Sequence, residues 1–162
     1  MKQKKSTTTS QLVSAAQLIR RYAAAEHEEN GLFIERHYPS PEQDPASGSI
    51  YYYLAPGEKS LFHRLEFDEY WIFNAGTTLD IWIIDAEGKL TVKRCGTDED
   101  AEPMIFMPAG CTFAARHSSP DVPDGTFVTC ITVPRFKYSG STLLQEEEVV
   151  ELCPAAKAFF EQ

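Results

Sequence analysis

Apolar residues recur along most of this chain in short runs, not at a helical period. The runs are Ile50-Tyr51-Tyr52-Tyr53-Leu54, Glu69-Tyr70-Trp71-Ile72-Phe73, Leu79–Ile84, Leu90–Lys93, Met104–Met107, Thr112–Ala115 and Phe127–Val133. Turn formers separate them: Pro56-Gly57, Ala75-Gly76, Glu87-Gly88, Pro108-Ala109-Gly110 and Asp124-Gly125. Short strands at this spacing predict an all-β sandwich or closed barrel. They leave no room for the crossover helices of a parallel α/β sheet. Leu32-Phe33-Ile34 predicts one more strand, followed by a proline-rich loop over 38–49 long enough to serve as a lid or dimer arm.

Only the two ends read as helix. Leu12, Ala15, Ala16, Ile19 and Tyr22 recur at helical spacing, so a helix is predicted from residue 10 to about Ala25. Ser10 or Thr9 would cap it by accepting an orphan backbone N–H. Asn30-Gly31 then makes a turn. Near the other end Pro154 interrupts the chain, and a short helix over 155–160 would pack Phe159 or Phe160 on the barrel. Residues 1–9 are expected to form a flexible polar tail, with residues 10–162 as a single domain.

Composition narrows the function classes. The 162 residues are 43% hydrophobic, enough to bury a core without disulfides. The net charge of −9 disfavours nucleic acid and anionic membrane as partners, because both need a basic surface. Cys95, Cys111, Cys130 and Cys153 form no close pair of the kind a structural zinc site needs, and are expected to be reduced, mostly buried thiols. The basic start, Met1 to Lys5, runs into Ser6-Thr7-Thr8-Thr9 and not into an apolar core, so it is no secretory signal. No run approaches a membrane span, and a cytoplasmic protein is expected.

The candidate chemistry lies around His63 and Glu69. Gly57 precedes His63 by six positions, Glu69 follows by six, and Gly76 by thirteen. Alternation along a strand puts Glu69, Trp71 and Phe73 on one face, with Tyr70 and Ile72 on the other. With Glu69 inward, Trp71 and Phe73 would line the same interior as a flat apolar wall.

This pattern resembles the first motif of the cupin superfamily, the RmlC-like jelly rolls, in which a glycine leads to His-x-His, a glutamate and a second glycine. Here it reads Gly57, His63-Arg64-Leu65, Glu69 and Gly76. The second motif's Pro-x-Gly is Pro108-Ala109-Gly110, with Phe113 where a histidine is usual. The resemblance extends to the type-5 small cupins, a family of unknown function. It begins at His27-Glu28-Glu29-Asn30-Gly31, continues through Phe33, Glu35 and Arg36, and is strongest from Ile50 to Gly76. It returns at Val133-Pro134-Arg135-Phe136. Phe62 and Thr112 stand where the family often has Trp, and Arg135 where it has glycine. The first two departures are expected to reshape the pocket or its entrance.

The resemblance implies a cupin-type double-stranded β-helix, or jelly-roll barrel, with an N-terminal helix and a short C-terminal helix. It implies a small-molecule pocket, and a homodimer using the aromatic faces at Tyr51–Tyr53 and Tyr70. Metal-binding cupins present three histidines and a glutamate. Leu65 and Phe113 occupy two of those positions, which leaves His63 and Glu69, with His117 sharing the strand parity of Phe113. No cofactor is therefore expected; a divalent metal, if bound, would sit on His63 and Glu69. The first functional reading is a metal-independent isomerase or epimerase acting on a sugar-like or small polar metabolite. In it His63 and Glu69 are catalytic, Glu69 orients His63, and Ser60, Arg64, Trp71, Phe73 and Phe113 form the pocket. Arg64 could hold a carboxylate or phosphate, or else face outward. The alternatives are a non-catalytic ligand-binding module and a metal-dependent oxygenase.

Overall fold

The computed structural model describes residues 13–38 and 46–161. The expected tail over 1–9, the caps at Thr9 and Ser10, and most of the proline-rich loop lie outside the described residues. The order begins with helix α1 (Ala15–Ile19), β1 (Ala25–Glu26), β2 (Leu32–His37), β3 (Gly48–Leu54), β4 (His63–Leu65) and β5 (Asp68–Gly76). It continues with β6 (Leu79–Ile84), β7 (Leu90–Cys95), β8 (Met104–Met107), β9 (Thr112–Arg116) and β10 (Thr126–Val133). It closes with a 3₁₀ turn at Tyr138–Gly140, β11 (Ser141–Leu143), helix α2 (Glu146–Leu152) and a 3₁₀ helix at Pro154–Phe159.

The strands form two antiparallel sheets, in the orders β1-β2-β3-β10-β5-β8 and β11-β4-β9-β6-β7. This is an all-β jelly roll. The runs and turns predict the all-β character, and the jelly roll is what the resemblance implies. Strand alternation builds the core between the sheets. Tyr52, Leu54, Trp71, Ile105, Met107, Val128 and Cys130 point in from the first sheet, and Leu65, Ile81, Ile83, Phe113 and Ala115 from the second. On β5 the register slips once: Phe73 pairs with Val128 and Ala75 with Phe127, so Asn74 is bulged out.

Each outer face carries a cover. Tyr53 and Phe127 point outward from the first sheet and pack under Ala15 and Ile19 of α1. That helix is shorter than predicted. Ser14 caps it, accepting the N–H of Gln17, while the distant Asp124 accepts the N–H groups of Ala15 and Ala16. The same helix, with Tyr22, packs on Tyr51 and Tyr53 at the outer face, while Tyr52 points into the core. Tyr70 faces outward as predicted and packs on Phe106, their ring centroids 4.9 Å apart. The second sheet's outer face buries Phe62, Trp82, Ile84 and Ala114 against Val149, Ala156 and Phe159 of the C-terminal helices. Phe159 meets Phe62 edge-on at 4.8 Å, the packing expected of it. Among the described residues no helix is long and apolar enough to cross a membrane.

Candidate functional site

One end of the barrel interior opens into a cavity of about 680 Å³, mouth included. Its floor is formed by Leu65 of β4, Glu69 and Trp71 of β5, Tyr52 of β3, and Cys130 and Thr132 of β10; His63 stands beside them. Phe33, Glu35, Tyr38, Phe136 and Tyr138 also line it.

The remaining wall comes from the turn between β1 and β2. Asn30 and Gly31 both take positive φ, 70° and 78°, and this reverses the chain so that Glu29 dips into the barrel. Three contacts hold the turn there. Tyr52 Oη donates to the Asn30 carbonyl at 2.9 Å, the N–H of Leu61 donates to the Glu29 carbonyl at 2.8 Å, and Asn30 Nδ2 donates to the Lys59 carbonyl at 3.0 Å. A side chain at position 31 would meet Tyr52 Oη and the Tyr53 carbonyl at 2.7 Å, so both the conformation and the space require glycine.

The carboxyl that meets His63 is Glu29, not Glu69, the partner expected from spacing. Glu29 Oε2 lies 3.3 Å from His63 Nε2, with the histidine 1% and the glutamate 7% exposed. His63 Nδ1 lies 2.9 Å from the Leu61 carbonyl. A carbonyl only accepts, so Nδ1 carries a hydrogen and the neutral ring keeps its lone pair on Nε2, facing Glu29. Burial pulls the His63 pKa down to about 4. Burial also pushes the Glu29 carboxyl well above its ordinary value, and the nearby Glu69 and Glu28 charges add to that rise. One proton shared between Glu29 and Nε2 satisfies both groups at zero net charge.

His27 is neutral as well. Its Nδ1 accepts the N–H of Glu29 at 3.2 Å, and burial lowers its pKa to about 4. Its ring packs edge-on against Phe33 and Tyr52.

Glu69 is 6% exposed, and burial raises its pKa to about 8, so it holds its proton at neutral pH. The Trp71 indole faces this carboxyl and draws its pKa back slightly, from outside hydrogen-bond geometry. Glu69 Oε2, Trp71 Nε1 and Thr132 Oγ1 are all buried without a hydrogen-bond partner among the described residues. Glu69 and Thr132 are opposite one another in the β5–β10 ladder. Buried polar groups are seldom left unpaired, and three such atoms belong to residues that line this one cavity.

Of the residues read from the sequence, His63, Glu69 and Trp71 line the cavity. The others do not. Ser60 Oγ accepts the N–H of Ala115 at 2.8 Å, a structural staple. Arg64 alternates outward and donates from Nε to Thr112 Oγ1 at 3.1 Å. Phe73 packs against the core. Phe113 lies behind His63, ring centroids 4.2 Å apart, and props the imidazole without reaching the lining. His117 is at a separate recess of about 280 Å³ with Lys59 and Arg116, its Nε2 2.8 Å from Thr126 Oγ1. All four cysteines are free and buried. Burial pushes the Cys111 thiol up to about 12 and the Cys130 thiol well above its usual range, so neither is a ready nucleophile.

The departures from the family pattern also sort by face. Phe62 is under the C-terminal helices and Thr112 is against Arg64, both away from the cavity. Arg135 stacks its guanidinium 3.8 Å from the centroid of Tyr38, a residue of the cavity lining.

The donor set does not fit the metal of metal-binding cupins. Leu65 and Phe113 are apolar and buried where that set needs imidazoles. Among the described residues no three His, Cys, Asp or Glu side chains are grouped to hold a metal ion. Sequence reasoning missed Glu29, His27, Tyr52 and Thr132. The signal for Glu29 was present in Asn30-Gly31, a turn pair that can fold a preceding side chain back onto the sheet.

The family model described as Cupin superfamily (DUF985) matches residues 16–144. A search of curated proteins gives no match. Among solved structures, a protein from Shewanella oneidensis is 31% identical with a TM-score of 0.80, covering 93% of this chain and 96% of that one. A hypothetical protein from Leishmania major is 23% identical with a TM-score of 0.75, covering 92% and 97%. An oxalate decarboxylase from Bacillus subtilis is 16% identical with a TM-score of 0.60, covering 83% of this chain and 34% of that one. The last two likenesses are of fold alone.

Proposed function

Because the chain belongs to the DUF985 family of the cupin superfamily, we propose that it is a metal-independent cupin performing acid–base chemistry of the isomerase or epimerase kind on a small polar metabolite. The observation that carries this reading is Glu29 Oε2 buried 3.3 Å from His63 Nε2 in the same cavity as the buried Glu69.

Moving the shared proton from Glu29 to Nε2 gives carboxylate and imidazolium at no change in net charge. The Glu29 carboxylate can then take a proton from one substrate atom while Glu69 delivers its own to another. The result is a balanced one-proton shift in the substrate; the proton left on His63 Nε2 then passes through solvent to Glu69, which restores all three groups. The Leu61 carbonyl keeps the imidazole in the tautomer that can accept. A carboxyl that burial raises to about 8, as at Glu69, is suited to this exchange.

The test is incubation of the protein with a metabolite library in deuterated water. Deuterium entering a bound compound at carbon, lost in both Glu29→Gln and Glu69→Gln, supports the reading. A compound that binds and is recovered without exchange or rearrangement sinks it.

A second reading, a ligand-binding module without turnover, has its own support. His63 is almost fully enclosed, and its Nε2 is already engaged by Glu29. In that case His63→Ala changes affinity alone. The oxygenase alternative loses support from the apolar Leu65 and Phe113.

A further inference from the structure

Resting on the reading of the cavity as a ligand site, we infer that its ligand class is a small protonated amine. Three carboxyl side chains, Glu29, Glu35 and Glu69, line the cavity, and no lysine or arginine does so among the described residues. Two arginines near the lining in sequence or contact do not join it. Arg64 points out toward Thr112, and Arg135 is stacked on Tyr38 without joining the lining.

Glu29 and Glu69 are held toward their protonated forms in the empty cavity, so an anion would give up its hydration for a lining with no lysine or arginine among the described residues. A neutral ligand could satisfy the unpaired polar atoms but would gain nothing from the acidic walls. A cation gains from both. Glu69 Oε2 and Thr132 Oγ1, facing each other across the ladder and otherwise without partners, are two acceptors for the hydrogens of an ammonium group. The rings of Phe33, Tyr52, Trp71 and Phe136 surround them, and aromatic faces attract cations most strongly where water is excluded. Burial holds Glu69 protonated in the empty cavity. An arriving free amine can take that proton, and an arriving ammonium can displace it to solvent. Both routes end at the same ammonium–carboxylate pair, and the proton that Glu69 delivers in the proposed shift is then carried by the ammonium.

The test uses three probes of nearly the same shape and different charge: benzylamine, benzyl alcohol and benzoate, titrated into the full chain. Binding is read from the Trp71 indole resonance and by calorimetry. Benzylamine is expected to bind at least about tenfold more tightly than benzyl alcohol, with benzoate weakest. In Glu69→Gln the benzylamine affinity falls to that of the alcohol, whose own affinity changes by less than about twofold. Thr132→Val, a near-isosteric change that removes only the hydroxyl's hydrogen bond, weakens the amine more than the alcohol and serves as the second variant. Benzyl alcohol or benzoate binding as tightly as benzylamine, or an amine preference that survives Glu69→Gln, overturns the inference. If the alcohol alone moves the Trp71 resonance, the ligand site stands and the amine class falls. If none of the three does, both fall.

Discussion

His63 Nε2 and Glu29 Oε2 are 3.3 Å apart and both are buried, with the imidazole tautomer set from behind by the Leu61 carbonyl. Nitrogen NMR of the histidine rings checks this directly. His63 is expected to show the neutral form with hydrogen on Nδ1 at pH 7, and to resist protonation until the pH nears 4. An imidazolium at neutral pH, or the other tautomer, would contradict the shared-proton arrangement.

Glu69 makes stability fall as pH rises. Its folded pKa is about 8, against 4.5 for the unfolded carboxyl. Between those values the unfolded chain has released a proton that the folded chain still holds, so unfolding becomes easier with each added pH unit. Glu69→Gln removes this slope. The variant is expected to be more stable than the parent at pH 8 by a few kcal/mol, and the gap to close toward pH 4.5. His63 acts at the other end. Its folded pKa of about 4 is below the unfolded 6.5, so its share of stability is lost as pH falls from 6.5 toward 4. Urea unfolding of parent and variant across this range is the measurement.

Gly31→Ala attacks the turn that delivers Glu29. The new methyl would meet Tyr52 Oη and the Tyr53 carbonyl, at a φ that alanine adopts only under strain. A loss of roughly 1–3 kcal/mol in urea unfolding is expected. Ligand affinity is expected to fall further than that destabilisation explains, because Glu29 and His27 move with the turn.

Phe62→Ala is the opposite case. Phe62 is buried under Phe159 on the outer face of the second sheet. Its truncation is expected to cost about 3–5 kcal/mol. Binding in the cavity, measured under conditions where the variant is folded, is expected to be unchanged.

Leu65→His combined with Phe113→His would rebuild the missing donors, since Leu65 lines the cavity and Phe113 pairs with His63 across β4 and β9. The double variant is expected to bind nickel or cobalt stoichiometrically and to melt higher with the metal than without. The parent is expected to show neither effect. Metal analysis after dialysis, alongside thermal melts, decides it.

The strands were legible wherever apolar alternation ran long enough. Leu79–Ile84 and Met104–Met107 have the bounds the sequence predicts, and Glu69 and Trp71 point inward as parity requires. Segments too short to carry a period were missed. β1 has two residues and β11 has three. Helix α2 was overlooked although its first turn holds Glu146, Glu147 and Glu148, charges that suit a helix N-terminus. The site was half legible. Motif spacing finds residues on strands consecutive in the chain, such as His63 on β4 and Glu69 on β5. It cannot find Glu29, whose placement depends on a left-handed turn in a different part of the chain, or Thr132, whose importance depends on having no partner.

The turn carrying Glu29 is already tied to Tyr52, Leu61 and Lys59 before any ligand arrives. Folding has therefore borne the conformational entropy of ordering that wall, and a ligand need not bear it again. The proposed ligand therefore meets a preorganised wall. How fast a ligand enters then depends on the side chains at its rim, above all the exposed ring of Tyr138, which is 64% accessible.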